Sequence, residues 1–173
     1  VLENVKGLLK KYPSANIVSV SQNDTMADYC QCPECKNVDA EEGSPSGSIL
    51  RFVNRIAEQI EKEYPDVAVE TLAYNYSRKP PKITKPRANV IVRLCSTPCS
   101  FSQPLETGVQ NVVFKQDMDS WGKICRRLYV WDYVTNFSHY FRPHPNFRVL
   151  KPNIQFFVKN GVKGVFEQGN ASS

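Results

Sequence analysis

The chain has no run approaching ~18 consecutive apolar residues, which excludes a membrane-spanning helix within it. Histidine is scarce: His139 and His144 are the only two, so a nucleophile triad centred on histidine has few options. His144, between two prolines, reads as a rigid loop element. Neither the hydrolase elbow G-x-S-x-G nor the zinc-protease pattern H-E-x-x-H occurs. No glycine-rich phosphate turn follows any apolar run, which weighs against dinucleotide binding. The net charge of +5 comes from scattered basic residues and not from one stripe, which argues against a nucleic-acid partner. The amino terminus lacks an initiator Met and the charged start and apolar run of a signal peptide. It opens inside an amphipathic pattern (Val5, Leu8, Leu9, Tyr12), so the chain is expected to be an excised part of a longer protein. Internal repeats and low-complexity segments are also missing.

What the chain does have is a recurring layout. Five short apolar runs, 16–21, 67–73, 89–94, 128–130 and 162–166, each stop at a polar or aromatic cluster. The stops are Gln22-Asn23-Asp24, Tyr74-Asn75-Tyr76, Cys95 to Cys99, Trp131-Asp132-Tyr133 and Glu167-Gln168. Chemical groups placed repeatedly just past strand ends are the layout of a parallel α/β sheet or barrel, where strand-to-helix loops build one shared site. Helical spacing marks 1–12, 48–64 and 151–160, with another helix near 119–127 capped by Asp119. In the helix over 48–64, Ile49, Phe52, Val53, Ile56 and Ile60 form the apolar face. Segments 22–47 and 131–147 read as long loops. The proline-rich stretch 77–88 reads as an irregular crossover without a helix.

Alternating strands and helices imply a parallel sheet with right-handed crossovers. Eight strands in a barrel take roughly 250 residues, so the expectation is an α/β fold forming the C-terminal part of a (β/α)8 TIM barrel, with about five parallel strands. Residues 1–173 would form a single domain carrying the later strands. An open doubly wound sheet is the competing architecture.

Two carboxylates are the catalytic candidates. Asp24 lies just past the first strand and suits a general acid, or a group that orients a sugar or acetamido substituent; an Asx turn would use the same residue. Glu167 ends the last run. At an apolar barrel rim its pKa would rise toward values useful for proton transfer, although binding of hydroxyls or capping a helix would also place it there. The substrate-binding candidates are Asn23, Tyr74, Tyr76, Trp131, Asp132 and Asn136. Aromatic rings can stack on the C–H faces of sugars while polar tips meet the hydroxyls, and rings are also common core filler. Strand alternation turns Leu72 and Tyr74 one way and Ala73 and Asn75 the other, so Tyr74 and Trp131 lead this set. Asp132 is a third carboxylate, which would serve equally to hold a neighbouring tyrosine.

Cys30-x-Cys32-x-x-Cys35 supplies three close thiols, and Cys95-x3-Cys99 and Cys125 complete the six cysteines. A structural zinc site usually has four ligands, and Cys95 or Cys99 could add the fourth. Disulfides in an exported protein, or plain thiols, are the alternatives. With the ligand set incomplete, neither a metal nor a cofactor is expected.

The motifs CxCxxC, AYxY, VWDYxTNF and GVFEQG, in that order, resemble a bacterial family known as domain of unknown function 4838, and the resemblance covers essentially the whole chain. Some relatives are classed as glycoside hydrolases acting on N-acetylglucosamine linkages, with a fold similar to hexosaminidases and α-glucuronidases. The resemblance implies a barrel glycosidase acting on a glycan or oligosaccharide, in the bacterial periplasm or outside the cell. A non-catalytic carbohydrate-binding module on the same scaffold is the alternative. A full family member should contain earlier strands than those seen here.

Overall fold

Near-continuous apolar runs suit strands that are covered on both faces, and this chain uses them for a parallel sheet. The computed structural model describes residues 1–26 and 28–169. Strands β1 (Ile17–Ser19), β2 (Ala68–Ala73), β3 (Val90–Cys95), β4 (Leu128–Tyr133) and β5 (Gly164–Gln168) lie side by side in sequence order, each neighbouring pair parallel. The sheet curls as a half-barrel flanked by helices, the architecture of part of a (β/α)8 barrel. A doubly wound sheet would reverse its strand order part-way across. Here the order never reverses.

The helices are α1 (Leu2–Lys11), α2 (Pro33–Glu42), α3 (Ser46–Glu63), α4 (Val112–Ile124) and α5 (Phe147–Lys159). Val69, Val92, Leu94 and Val130 join Leu50, Ile60, Phe114, Trp121 and Phe156 in one buried cluster between sheet and helices. The alternate residues therefore face the concave side: Glu70 and Leu72 on β2, Arg93 and Cys95 on β3, Trp131 and Tyr133 on β4, Phe166 and Gln168 on β5. Arg93 forms a salt bridge with Glu70 there, and its guanidinium lies 5.8 Å from the Trp131 ring centre. Gly164 sits under the Tyr129 ring so closely that a Cβ would come within 2.6 Å of it.

The β2-to-β3 crossover has no α-helix; only a short 3-10 turn, Asn75–Ser77, begins it. Side chains from the preceding helices stitch it down instead. The fully buried Glu42 accepts hydrogen bonds from the Ile83 and Thr84 backbone N–H groups (3.0 Å each), from the Thr84 hydroxyl and from Arg51 Nε (2.8 Å). Ser44 donates to the Lys79 carbonyl at 2.7 Å, and Asn54 donates to the Lys85 carbonyl at 2.9 Å. Burial alone would raise the Glu42 carboxyl, but its donors hold it down at about 2.

Several sequence expectations need correction. The stretch 22–47 is not all loop, because α2 occupies its second half. Pro33 stands at the helix start and Gly43, in the left-handed region (φ 68°), ends it. The helix expected near 119–127 is α4, which begins at Val112 with Asn111 as its cap, so Asp119 lies inside it. The last helix starts at Phe147 and contains Pro152, because burial of Val149 recruits the turn before the proline. The buried face of α3 is Leu50, Val53, Ile56, Ala57 and Ile60, and Phe52 is left exposed. Trp131-Asp132-Tyr133 and Glu167 belong to strands and do not follow them.

Candidate functional site

The carboxyl ends of the strands form a cleft of about 340 Å³ on the concave side. Gln22, Asn23 and Asp24 come from the segment after β1, and Tyr74 follows β2. Cys95 ends β3, Trp131 and Tyr133 come from β4, and Gln168 ends β5; all of them line the cleft. The Tyr74 hydroxyl donates to Asp24 Oδ1 at 3.1 Å, tying the tip of one loop to the next strand. Gln22 Nε2 donates to the Tyr74 carbonyl at 3.1 Å, and its Oε1 accepts from Ser77 Oγ. Trp131 Nε1 donates to Gln168 Oε1 at 2.9 Å, so the indole edge and the amide are fixed as one unit. The Phe166 ring meets Trp131 edge-on at 4.8 Å between centres.

Desolvation colours the groups in this cleft. Burial raises Tyr74, which Asn75 partly offsets and Asp24 reinforces. Burial also raises Tyr133, and it pushes the Cys95 thiol up to about 12. Cys95 is therefore a protonated, apolar wall element and no nucleophile at neutral pH.

Among the residues expected to form a site, Asn23, Asp24, Tyr74 and Trp131 converge here. Tyr76 does not: it stacks on Tyr29 at 4.4 Å and lines a second cavity of about 300 Å³ on the other side of Gln22. Asn136 sits in the loop after β4, where its Oδ1 accepts from the backbone N–H groups of Ser138 (3.0 Å) and His139 (3.2 Å). That is the work of an Asx turn.

Asp132 and Glu167 lie on the helix-facing side of the strand alternation, in register with each other. Asp132 is buried and accepts from Ser96 Oγ at 2.6 Å and from its neighbour's backbone N–H, Tyr133 N, at 2.9 Å. Burial raises its pKa, and those hydrogen bonds oppose the rise. Glu167 is pushed up to about 7, first by desolvation and then by the nearby Asp132. It adjoins Gln168 at the strand end but is not among the cleft-lining residues.

Gln22, Cys95, Tyr133 and Gln168 were not singled out as site residues from sequence. The signal was the period of two. Once β4 and β5 are extended to Tyr133 and Gln168, each stands two places beyond a ring already on the concave face. The three clustered cysteines lie outside this cleft, with Cys30 and Cys35 lining the cavity beside it.

A family model described as Domain of unknown function (DUF4838) matches residues 1–173. Comparison with curated proteins finds no match, and comparison with solved structures finds none.

Proposed function

Since the chain belongs to the family described as Domain of unknown function (DUF4838), a description that states no reaction, we propose the activity from the cleft: a glycoside hydrolase acting on a glycan, with an N-acetylhexosamine as the sugar bound. One observation carries this reading. A single concave cleft combines ring faces (Trp131, Tyr74, Tyr133) with amide and carboxylate tips (Gln22, Asn23, Asp24, Gln168), the pairing that a pyranose needs. The sugar would stack on Trp131, with its hydroxyls or acetamido group hydrogen-bonded to Asn23, Asp24 and Gln168. Glu167, raised to about 7 by desolvation, is the proposed acid; it sits on the opposite face of β5, so it would reach the leaving glycosidic oxygen from the rim beside Gln168 and not from within the cleft. Asp24, oriented by Tyr74, would activate water or hold the acetamido group as the bond to the sugar breaks. A glycan substrate and the motifs shared with the family support a bacterial periplasmic or extracellular location. No helix among the described residues is long and apolar enough to cross a membrane.

A second reading, a non-catalytic glycan-binding module, is favoured by Asp24 being the only carboxylate among the described residues that lines the cleft. The experiment that separates the two measures both product release and binding with aryl N-acetylhexosaminides and N-glycans. The hydrolase reading expects turnover that falls by at least ~100-fold in Asp24→Asn and in Glu167→Gln, with sugar binding still detectable. Trp131→Ala should weaken binding in both cases. Unchanged turnover in both carboxyl variants removes those residues as catalysts, and binding without product from any substrate leaves the second reading standing.

A further inference from the structure

The thiols of Cys30, Cys32 and Cys35 form a cluster that the cleft chemistry does not use. Their sulfur atoms all lie within 4.8 Å of one another, and no disulfide joins them. A tetrahedral zinc–thiolate centre with Zn–S bonds of about 2.3 Å needs its sulfurs about 3.8 Å apart, so closing onto a metal asks for movements of about 1 Å or less. Cys30 is exposed, and Cys32 and Cys35 are half-buried, which leaves an entry path.

The helix that carries two of these thiols supplies the second argument. Cys32 is the N-cap of α2, and Cys35 lies within its first turn. Glu42, at the far end, is the only residue of α2 that is buried, and the N-cap makes no side-chain hydrogen bond. A ten-residue helix with no buried apolar side chain has little to order its beginning, because packing of an apolar face is the usual source of helical stability.

We propose that Cys30, Cys32 and Cys35 bind one thiophilic divalent cation, zinc, as three thiolates with the fourth position open to water or an added ligand. Each thiol gives up its proton as the metal–sulfur bond forms, and no electrons are exchanged. The metal fastens the segment that follows β1 to the start of α2. That segment also carries Asp24, held by Tyr74; Thr25, whose carbonyl accepts from Asn75 Nδ2 at 3.2 Å; and Tyr29, stacked on Tyr76. The ion is thus a staple behind one wall of the cleft and takes no part in its chemistry. A redox pair built from Cys32-Pro33-Glu34-Cys35 is the main competitor. The third thiol within bonding reach favours the metal.

The test uses the purified chain, reduced and then supplied with Zn(II) or Co(II). Expected are about one zinc per chain by elemental analysis and a thiolate-to-cobalt charge-transfer band with tetrahedral d–d bands. Zinc should also protect Cys30, Cys32 and Cys35 from alkylation by iodoacetamide, while the reactivity of Cys125 stays the same. Cys35→Ser should lose the band and the metal, whereas Cys125→Ser keeps both. The alkylation pattern of the unaltered chain decides the matter even if Cys35→Ser fails to fold. Absence of bound metal and of zinc-dependent protection overturns the proposal. So does an isolated chain lighter by two hydrogens, with Cys32 cross-linked to Cys35.

Discussion

The connection that leads the chain into β2 and the one that leads it out are built on opposite principles. The incoming side is α3, whose Leu50, Val53, Ile56, Ala57 and Ile60 recur at three- and four-residue intervals and pack on the sheet. The outgoing side, residues 78–89, has no helix, and side chains from α2, α3 and the turn between them reach across to its backbone polar groups. The first is held by apolar area, which tolerates small shifts. The second is held by directed hydrogen bonds, with the buried Glu42 carboxylate taking the largest share of them. Buried polar networks are costly when one member is lost, because the remaining groups are stranded without water.

The contrast can be broken at its apolar end by Ile60→Ala, on a side chain with no exposed surface. The expected loss is roughly 3–4 kcal/mol of unfolding free energy by urea titration, nearly constant between pH 3 and 7. Glu42→Ala attacks the polar end and should cost roughly 3 kcal/mol at pH 7, since two backbone N–H groups and Arg51 lose their acceptor. Its signature is the pH dependence. Folding lowers the Glu42 pKa from 4.5 to about 2, so its contribution is complete above pH 4.5 and is lost as the pH falls toward 2. The parent and Glu42→Ala stabilities should therefore converge in acid, and parallel curves would refute the carboxylate's role.

Gly47→Ala sharpens the comparison at the junction of the two connections. A Cβ at 47 would stand 2.4 Å from Glu42 Cβ, an atom too near the backbone to swing aside. Alanine is otherwise the better helix former, so a net loss of about 1–2 kcal/mol isolates this collision. The smallest effect should come from Glu167→Gln. Folding raises this carboxyl to about 7, so its stability contribution is lost as the pH rises from about 4.5 through 7. The glutamine variant should be more stable than the parent at pH 8 by about 1 kcal/mol after allowance for solvent screening, with no gain at pH 4.

The same contrast explains what was legible in the sequence. Strands and helices that bury apolar side chains were visible as periodic runs, and their parallel order followed from alternation. The face of α3 was misjudged by part of a turn because Ile49 and Phe52 look as apolar as Leu50 and Ala57; only the neighbouring sheet decides between them. Helix α2 has no apolar stripe, so hydropathy could not find it, although Pro33 and Gly43 mark its two ends. In the site, Asp24 and Tyr74 were legible because each follows a strand. Tyr133 and Gln168 were hidden by ending the strands where the apolar residues end. Asp132 and Glu167 fall on the opposite side of those strands by one position each, a distinction that depends on register and not on composition.

The bare backbone at Gly164 works as a ratchet stop for the edge strand. If β5 slid by one residue, Lys163 or Val165 would present a side chain where the Tyr129 ring now lies against a hydrogen atom. A slide of two would bring Val162 or Phe166 there, with the same obstruction. The alignment of Gln168 with Trp131 is thus guarded from the opposite end of the strand, by a residue that never touches the cleft.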